Sequence, residues 1–495
     1  MKRPSLSIAL AASAALAGCT VGPDYTPRSA GELGAAAGYS VPTPMAARED
    51  LTQWWTRFDD PLLQRLVASA AATNLDVAQA VTRLRQAREA LVQARASFLP
   101  QASGSGGYSR NVNIVGGGGA ITLPDGTVTN IARGTGGSFT AGLDVSYQLG
   151  LFGEFRRQAE AASAQYEATG YDLASVVIST QAEIARNYML ARAAQAQLGN
   201  ARDSLRLQDE NLEIAGFRVQ AGLVSSLDQE QARSQRATTA ASIPQIEATY
   251  NSAVSRLGVL TGQAPGALKA EMAAVKPIPA GPASVAVGLP AELIRQRPDL
   301  RAAERNLAAA VANIGVAKAE LYPALGLSGS LDSNAVSLGG LVDTITGTLF
   351  AGLSQLIFDG GRARAQVRSN EAAAQGAFLA YKGTVLTAME DVENAVVALQ
   401  TAQARAREFA IAFDAANTTA ILSRSQYRTG LTDFTTLVQA ESSLLNARNS
   451  LVQARSDQAT ALVQLYLALG GGWDSAGPAP QAPLSSPSIS RAQDR

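Results

Sequence analysis

From Leu437 onward the apolar positions recur every seven residues. One register holds Leu437, Leu444, Leu451, Gln458 and Leu465, and the other holds Ala440, Ala447, Ala454, Ala461 and Ala468. Leucine on one seam and alanine on the other is the pattern of a coiled coil whose backbones approach closely. A second helix is predicted before it, from about Gly361 to about Tyr427, with a tight turn at Tyr427-Arg428-Thr429-Gly430-Leu431 between the two. No proline falls between Pro323 and Pro478, so nothing obliges either helix to break. At 1.5 Å per residue the first helix extends on the order of 100 Å. A similar helix is expected from about Gly153 to Gly216, followed by a turn at Gly222 and a returning helix to about Leu260 that Pro244 should kink.

Elsewhere the period drops to two. Phe139, Ala141, Leu143, Val145, Tyr147 and Leu149 alternate with Thr140, Gly142, Asp144, Ser146 and Gln148. Leu325, Leu327 and Leu331 alternate with Gly326, Ser328 and Ser330, and Leu349, Ala351 and Leu353 follow after a polar loop. Strands of about ten residues with one apolar face suit a transmembrane barrel, although an ordinary half-buried hairpin reads the same way segment by segment. Their recurrence at matching places favours the barrel. Two hairpins supply four strands, whereas closure needs about eight. An open edge in lipid would leave backbone N–H and C=O groups without partners. On the barrel reading the sheet is therefore shared among two, three or more chains.

The chain repeats itself. A shift of 208 lays Ala221-Gly222-Leu223 on Thr429-Gly430-Leu431, and Leu257 on Leu465. A shift of 210 lays Phe139–Leu143 on Leu349–Leu353, and a shift of 223 lays Leu75–Pro100 on Pro298–Pro323. Matches in the same order imply two structural halves, 74–262 and 298–470. Their hairpins are expected at about 101–150 and 324–358, and their tip turns at about 217–225 and 425–433. The first half carries about 13 extra residues between Pro100 and Phe139, where Gly116–Gly119 and Pro124-Asp125-Gly126 read as loop. An N-terminal segment, 19–73, precedes the first half, and Trp54-Trp55 within it is expected to pack locally. An irregular connector, 263–297, joins the halves, with Pro265, Pro277, Pro279, Pro282 and Pro290 inside it and Pro298 just beyond. The tail, 471–495, turns Pro/Ser-rich past Trp473, the composition of disorder.

Composition narrows the chemistry. Aromatics at 5% and charged residues at 17% suit long packed helices better than a large aromatic core. A net charge of zero argues against a general nucleic-acid binder. The chain has no histidine, which removes His-based acid/base catalysis, His-activated nucleophiles and His metal sites. Its one cysteine excludes an intrachain disulfide and a thiolate cluster. We expect no enzyme, no metal and no cofactor.

Residues 1–18 read as a secretory signal, with Lys2 and Arg3 before a short apolar run from Leu6 to Leu16. Its end, Leu16-Ala17-Gly18-Cys19, resembles the lipobox of bacterial lipoproteins, which implies a lipidated Cys19, and Thr20 after it favours the outer membrane. Val21-Gly22-Pro23-Asp24-Tyr25 then resembles the mature start of outer-membrane efflux channels of the TolC/OprM type, NodT subgroup. Further matches are Gly288-Leu289-Pro290 with Arg297-Pro298-Asp299-Leu300-Arg301, Phe358-Asp359-Gly360-Gly361-Arg362, and Leu465–Trp473.

That resemblance covers essentially the whole mature chain. It implies a mixed α and transmembrane β fold: a homotrimer with a shared barrel in the outer membrane, a coiled-coil tunnel across the periplasm, and an equatorial belt. The implied role is the passive exit duct of a tripartite small-molecule pump, with a periplasmic adaptor and an inner-membrane transporter of the resistance-nodulation-division class. The tips would meet the adaptor through Gly222, Leu223, Gly430 and Leu431. Asp228 and Tyr427 fall on a linked pair that closes the tunnel in that family, and an Asp accepting from a Tyr hydroxyl contributes about 1–3 kcal/mol. Where family channels carry acidic rings past the second tip, this chain has Thr436 and Gln439, with Asp433 one turn nearer the tip. A type I secretion duct of the same fold, or a coiled-coil lipoprotein scaffold that moves nothing, remain as alternatives.

Overall fold

Asp60 starts the first helix. Its carboxylate accepts from the backbone N–H groups of Leu62 and Leu63, and Pro61 has no N–H to leave unpaired, so α1 runs Pro61–Thr73. Asn74 caps α2 (Leu75–Ala96) in the same way, accepting from Asp76 and Val77. There follow β1 (Gln101–Asn111), β2 (Gly118–Thr122), β3 (Val128–Ala132), β4 (Gly136–Leu149), α3 (Glu154–Gln220) and α4 (Ser226–Leu260). Two short helices, α5 (Lys269–Met272) and α6 (Pro290–Gln296), punctuate the connector. The chain continues through α7 (Pro298–Ala319), β5 (Ala324–Ala335), β6 (Thr346–Ser354), α8 (Arg362–Arg428) and α9 (Phe434–Ala468).

This computed structural model describes residues 20–42, 50–112, 114, 118–132, 136–477 and 479–481. The predicted signal, Cys19 and the end of the tail lie outside the described residues.

The helices match in length in sequence order. Helices α2 and α7 each have 22 residues, α3 and α8 each 67, and α4 and α9 each 35. Helix α3 continues past Gly216 to Gln220, because the residue that stops it is Gly222, at φ +69°. There the Leu223 N–H closes on the Arg218 carbonyl at 2.9 Å and the Gly222 N–H on Val219 at 3.0 Å, a left-handed cap that only glycine adopts without strain. Gly430, at φ +78°, ends α8 in the same way, with Leu431 N–H on the Gln426 carbonyl at 2.8 Å. Pro244 lies inside α4, which is one helix from Ser226 to Leu260.

The described chain separates into two compact units. One holds residues up to Thr26, Arg88–Gln165 and Leu307–Ala377. Its four-stranded antiparallel sheet has the order β1-β4-β5-β6, so the central pair joins the two hairpins, with Leu143 opposite Leu331 and Tyr147 opposite Leu327. The extra segment expected to be a loop also forms structure. β2 and β3 pair as a separate ribbon across a turn at Gly126, which takes φ +83°, and Asp125 accepts from the Thr127 N–H at 2.9 Å. Arg157, almost fully buried, ties the N-terminal segment down: it donates to Asp24 at 2.6 Å, to Glu160 at 2.8 Å and to the carbonyls of Val21 and Gly22 at 3.3 Å.

The other unit holds Pro27–Ala87, Tyr166–Asn306 and the chain from Phe378 on. Both seven-residue registers of α9 are buried or half-buried along their length. Trp54 stacks on Tyr466 at 5.4 Å and meets Trp55 and Phe58 edge-on, so the tryptophan pair is core packing. Arg301 lies over the rings of Tyr171 and Trp473 and donates to the Ser475 carbonyl, which orders the start of the tail.

Candidate functional site

Two features stand apart from ordinary packing: the faces and edges of the sheet, and the tips of the two helical turns. In the sheet, side-chain alternation sorts the residues cleanly. One face gathers Phe139, Leu143, Val145 and Tyr147 of β4 with Leu327 and Leu331 of β5 and Leu349 and Leu353 of β6. The other carries serine, threonine and glycine with Asp144 and Asp332, and Phe350 as its one aromatic among the paired positions. The apolar face is not covered: Leu349 is 90% exposed and Leu353 69%.

Aromatic rings bracket this face. Tyr108 meets Phe139 at 4.8 Å at one end, and Phe98–Phe155 and Phe152–Tyr322 pairs lie at the other. From Phe139 to Leu149 the strand rises about 33 Å at 3.3 Å per residue, and a tilt of about 40° brings that to the roughly 25 Å apolar band of an outer-membrane barrel. Strands β1 and β6 are the sheet's edges, and among the described residues neither pairs on its outer side. No described helix is long and apolar enough to cross a membrane, which says nothing of strands.

At the tips, Leu223 is 73% exposed and Leu431 79%, each directly after the positive-φ glycine of its turn. Nothing packs within reach of a Cβ at Gly222 or Gly430, so both glycines are there for backbone conformation and not for close approach. Asp433 caps α9 by accepting from the Thr436 N–H at 2.7 Å, which holds its carboxyl below the usual aspartate range.

Tyr427 is buried against Ala215, Ala232, Phe434 and Leu437. The structure does not form the hydrogen bond expected between it and Asp228. The Tyr427 hydroxyl makes no hydrogen bond of ordinary geometry among the described residues; the Arg218 guanidinium lies 4.4 Å over the ring and donates to the Tyr427 carbonyl at 3.1 Å. Burial raises the phenol's pKa above the ordinary tyrosine value, opposed by the Arg218 guanidinium beside it. Sequence reasoning missed Arg218, and also Glu441, a buried carboxylate on α9 held by Asn211 and Arg424. No local motif in the sequence marks either residue.

The solved structure of the outer-membrane channel OprN superimposes with a TM-score of 0.80 at 32% identity, over 92% of this chain and 100% of that one. A four-stranded antiparallel sheet with a bare apolar face, together with long helices in this order, is the fold of an outer-membrane channel. A family model described as "Outer membrane efflux protein" matches residues 66–263 and 289–471. Nodulation protein T of Rhizobium leguminosarum bv. trifolii is 33% identical over 463 residues, 93% of this chain and 96% of its own length. The pyoverdine export outer membrane protein OpmQ of Pseudomonas aeruginosa is 32% identical over 428 residues, 86% of this chain and 88% of its own. The chain belongs to the outer membrane efflux protein family, and its place is the outer membrane, extending into the periplasm.

Proposed function

We propose that this chain is the exit duct of a tripartite efflux pump, formed by three copies that close one barrel and carry small molecules outward without an energy source of their own. The observation that carries the reading is a four-stranded sheet with an uncovered apolar face and two unpaired edges. Neither edge is tolerable in lipid, and joining β6 of one copy to β1 of the next removes both. Three copies give twelve strands. The matched helix lengths support an internal duplication as the origin of the paired tips.

In this reading a lipid on Cys19 anchors the assembly. A periplasmic adaptor docks at Gly222, Leu223, Gly430 and Leu431, and the inner-membrane transporter of the resistance-nodulation-division class supplies the substrate. An exposed leucine beside a rigid glycine turn is a suitable apolar anchor for a partner helix. The gate comprises Tyr427 and Asp228, and Asp433 as the cap that shapes the second tip.

The test is dye or drug accumulation in cells that rely on this chain. The double variant Leu223→Glu/Leu431→Glu is expected to abolish export while the protein still reaches the outer membrane as an assembled oligomer. Unimpaired export by that variant would remove the tips from docking.

A further inference from the structure

The connection between β5 and β6, residues 336–345, is unusually apolar for a surface link. Five of its ten residues are Val336, Leu338, Leu341, Val342 and Ile345, and Asp343 is its one charge. Leu341 is half-buried and the other four are exposed, Val336 at 86% and Val342 at 78%. A contiguous apolar patch of this kind marks a surface that meets something other than water.

The link folds back as a single turn of 3-10 helix, Gly339–Val342, over β5 and β4. Two contacts fix the side it takes. The Ser333 hydroxyl donates to the Leu341 carbonyl, and a Cβ at Gly340 would stand 3.2 Å from the Ala335 Cβ. Ser333 and Ala335 continue the alternation of Leu327 and Leu331, so the turn lies on the apolar face of the sheet. Its level is fixed as well. Ala335 pairs with Phe139, whose ring meets Tyr108, at the end of the strands opposite to their junctions with α3 and α7. With the helices in the periplasm, this is the outer-leaflet end, and aromatic girdles mark the interface of a membrane barrel.

We propose that this turn is a lipid-contacting wedge: Val336, Leu338, Val342 and Ile345 insert among the acyl chains of the outer leaflet beside the barrel. This rests on the duct reading above, which turns the apolar face towards lipid. Position argues against the other occupants. A neighbouring copy joins at β1 or β6, whereas the turn lies over β4 and β5, the two inner strands. The lumen of a shared barrel lies on the opposite face, with the serines, threonines and glycines. Acyl chains therefore remain as the surroundings that take these side chains out of water. The wedge extends the apolar footprint of the sheet sideways at the interface and holds the outward end of the β5–β6 hairpin at that depth.

The experiment is nitroxide labelling of the assembled full-length protein in liposomes of phosphatidylethanolamine and phosphatidylglycerol. Relaxation of each label by oxygen, which concentrates among acyl chains, is set against relaxation by a water-soluble nickel chelate. Labels go on Leu338→Cys and Val342→Cys, with Leu349→Cys on the apolar face and Thr348→Cys on the opposite face as references. The parent, whose one cysteine is Cys19, gives the background. Both turn labels are expected to favour oxygen over nickel severalfold, as Leu349→Cys does, whereas Thr348→Cys favours nickel. Turn labels that favour nickel beside a Leu349→Cys label that favours oxygen would overturn the wedge and leave the barrel standing. So would turn labels shielded from both relaxants, the result of a neighbouring copy covering the turn. A Leu349→Cys label that itself favours nickel would remove the lipid-facing sheet and the wedge together.

Discussion

At Tyr427 the ring and the hydroxyl have separate fates. The ring packs on Phe434 at 5.6 Å and lies under Arg218, whereas the hydroxyl is buried without a hydrogen bond of ordinary geometry. Tyr427→Phe should therefore change the thermal unfolding of the purified protein by less than about 0.5 kcal/mol, and Tyr427→Ala should cost about 3–5 kcal/mol, the range for emptying an aromatic site. Equal losses from both variants would show that the hydroxyl is bonded after all. Asp433 adds a pH dependence. Its pKa lies below the ordinary aspartate value because the carboxylate accepts from Thr436. The cap is then fully formed above about pH 3.9 and is lost only as pH falls through the lower folded value. Amide protection at Thr435, Thr436 and Leu437 should hold across neutral and mildly acid pH, then fall in strong acid. Asp433→Asn, which caps without titrating, should remove that fall. The sequence made Asp433, Gly222 and Gly430 legible because capping and positive-φ turns are local. Arg218 and Glu441 were not legible, because their roles depend on which distant helix faces them.

Among the elements, the sheet carries the sharpest contrast. Leu349 and Thr348 are neighbours on β6, yet they point to opposite faces. Leu349→Arg should lower the stability of the membrane-inserted protein by about 2–4 kcal/mol if the site lies near the bilayer midplane, while Thr348→Arg should be tolerated. Heat-resistance of the oligomer recovered from outer membranes reads both. Equal tolerance would mean that the apolar face does not meet lipid. The face was readable from the period of two, since Phe139 through Leu149 alternate without interruption. The pairing of β4 with β5, which makes one sheet of two hairpins, was not, because strand order is decided by partners far apart in the chain. The β2–β3 ribbon was missed for a related reason: Gly118 and Gly119 give no alternation, and the cross-strand pairing alone defines the strands. Helix lengths were nearly legible, erring at α3 because Gly216 is tolerated inside a long packed helix and Gly222 makes the turn.

For the whole molecule, the edges of β1 and β6, unpaired among the described residues, and the bare apolar face are the features on which the proposal of a barrel shared between copies rests. Family membership could be read early because its motifs are spread in order along the chain, which has no histidine. The number of copies could be bounded from strand counting but not fixed by it. The most direct test of the account is the current carried by the purified protein, confirmed by native mass to hold three chains, across a planar lipid bilayer with no nucleotide, proton gradient or partner protein added. A passive duct predicts discrete single-channel steps, rare at rest, whose current varies linearly with voltage. Assembled, folded protein that carries no current at any voltage would contradict it.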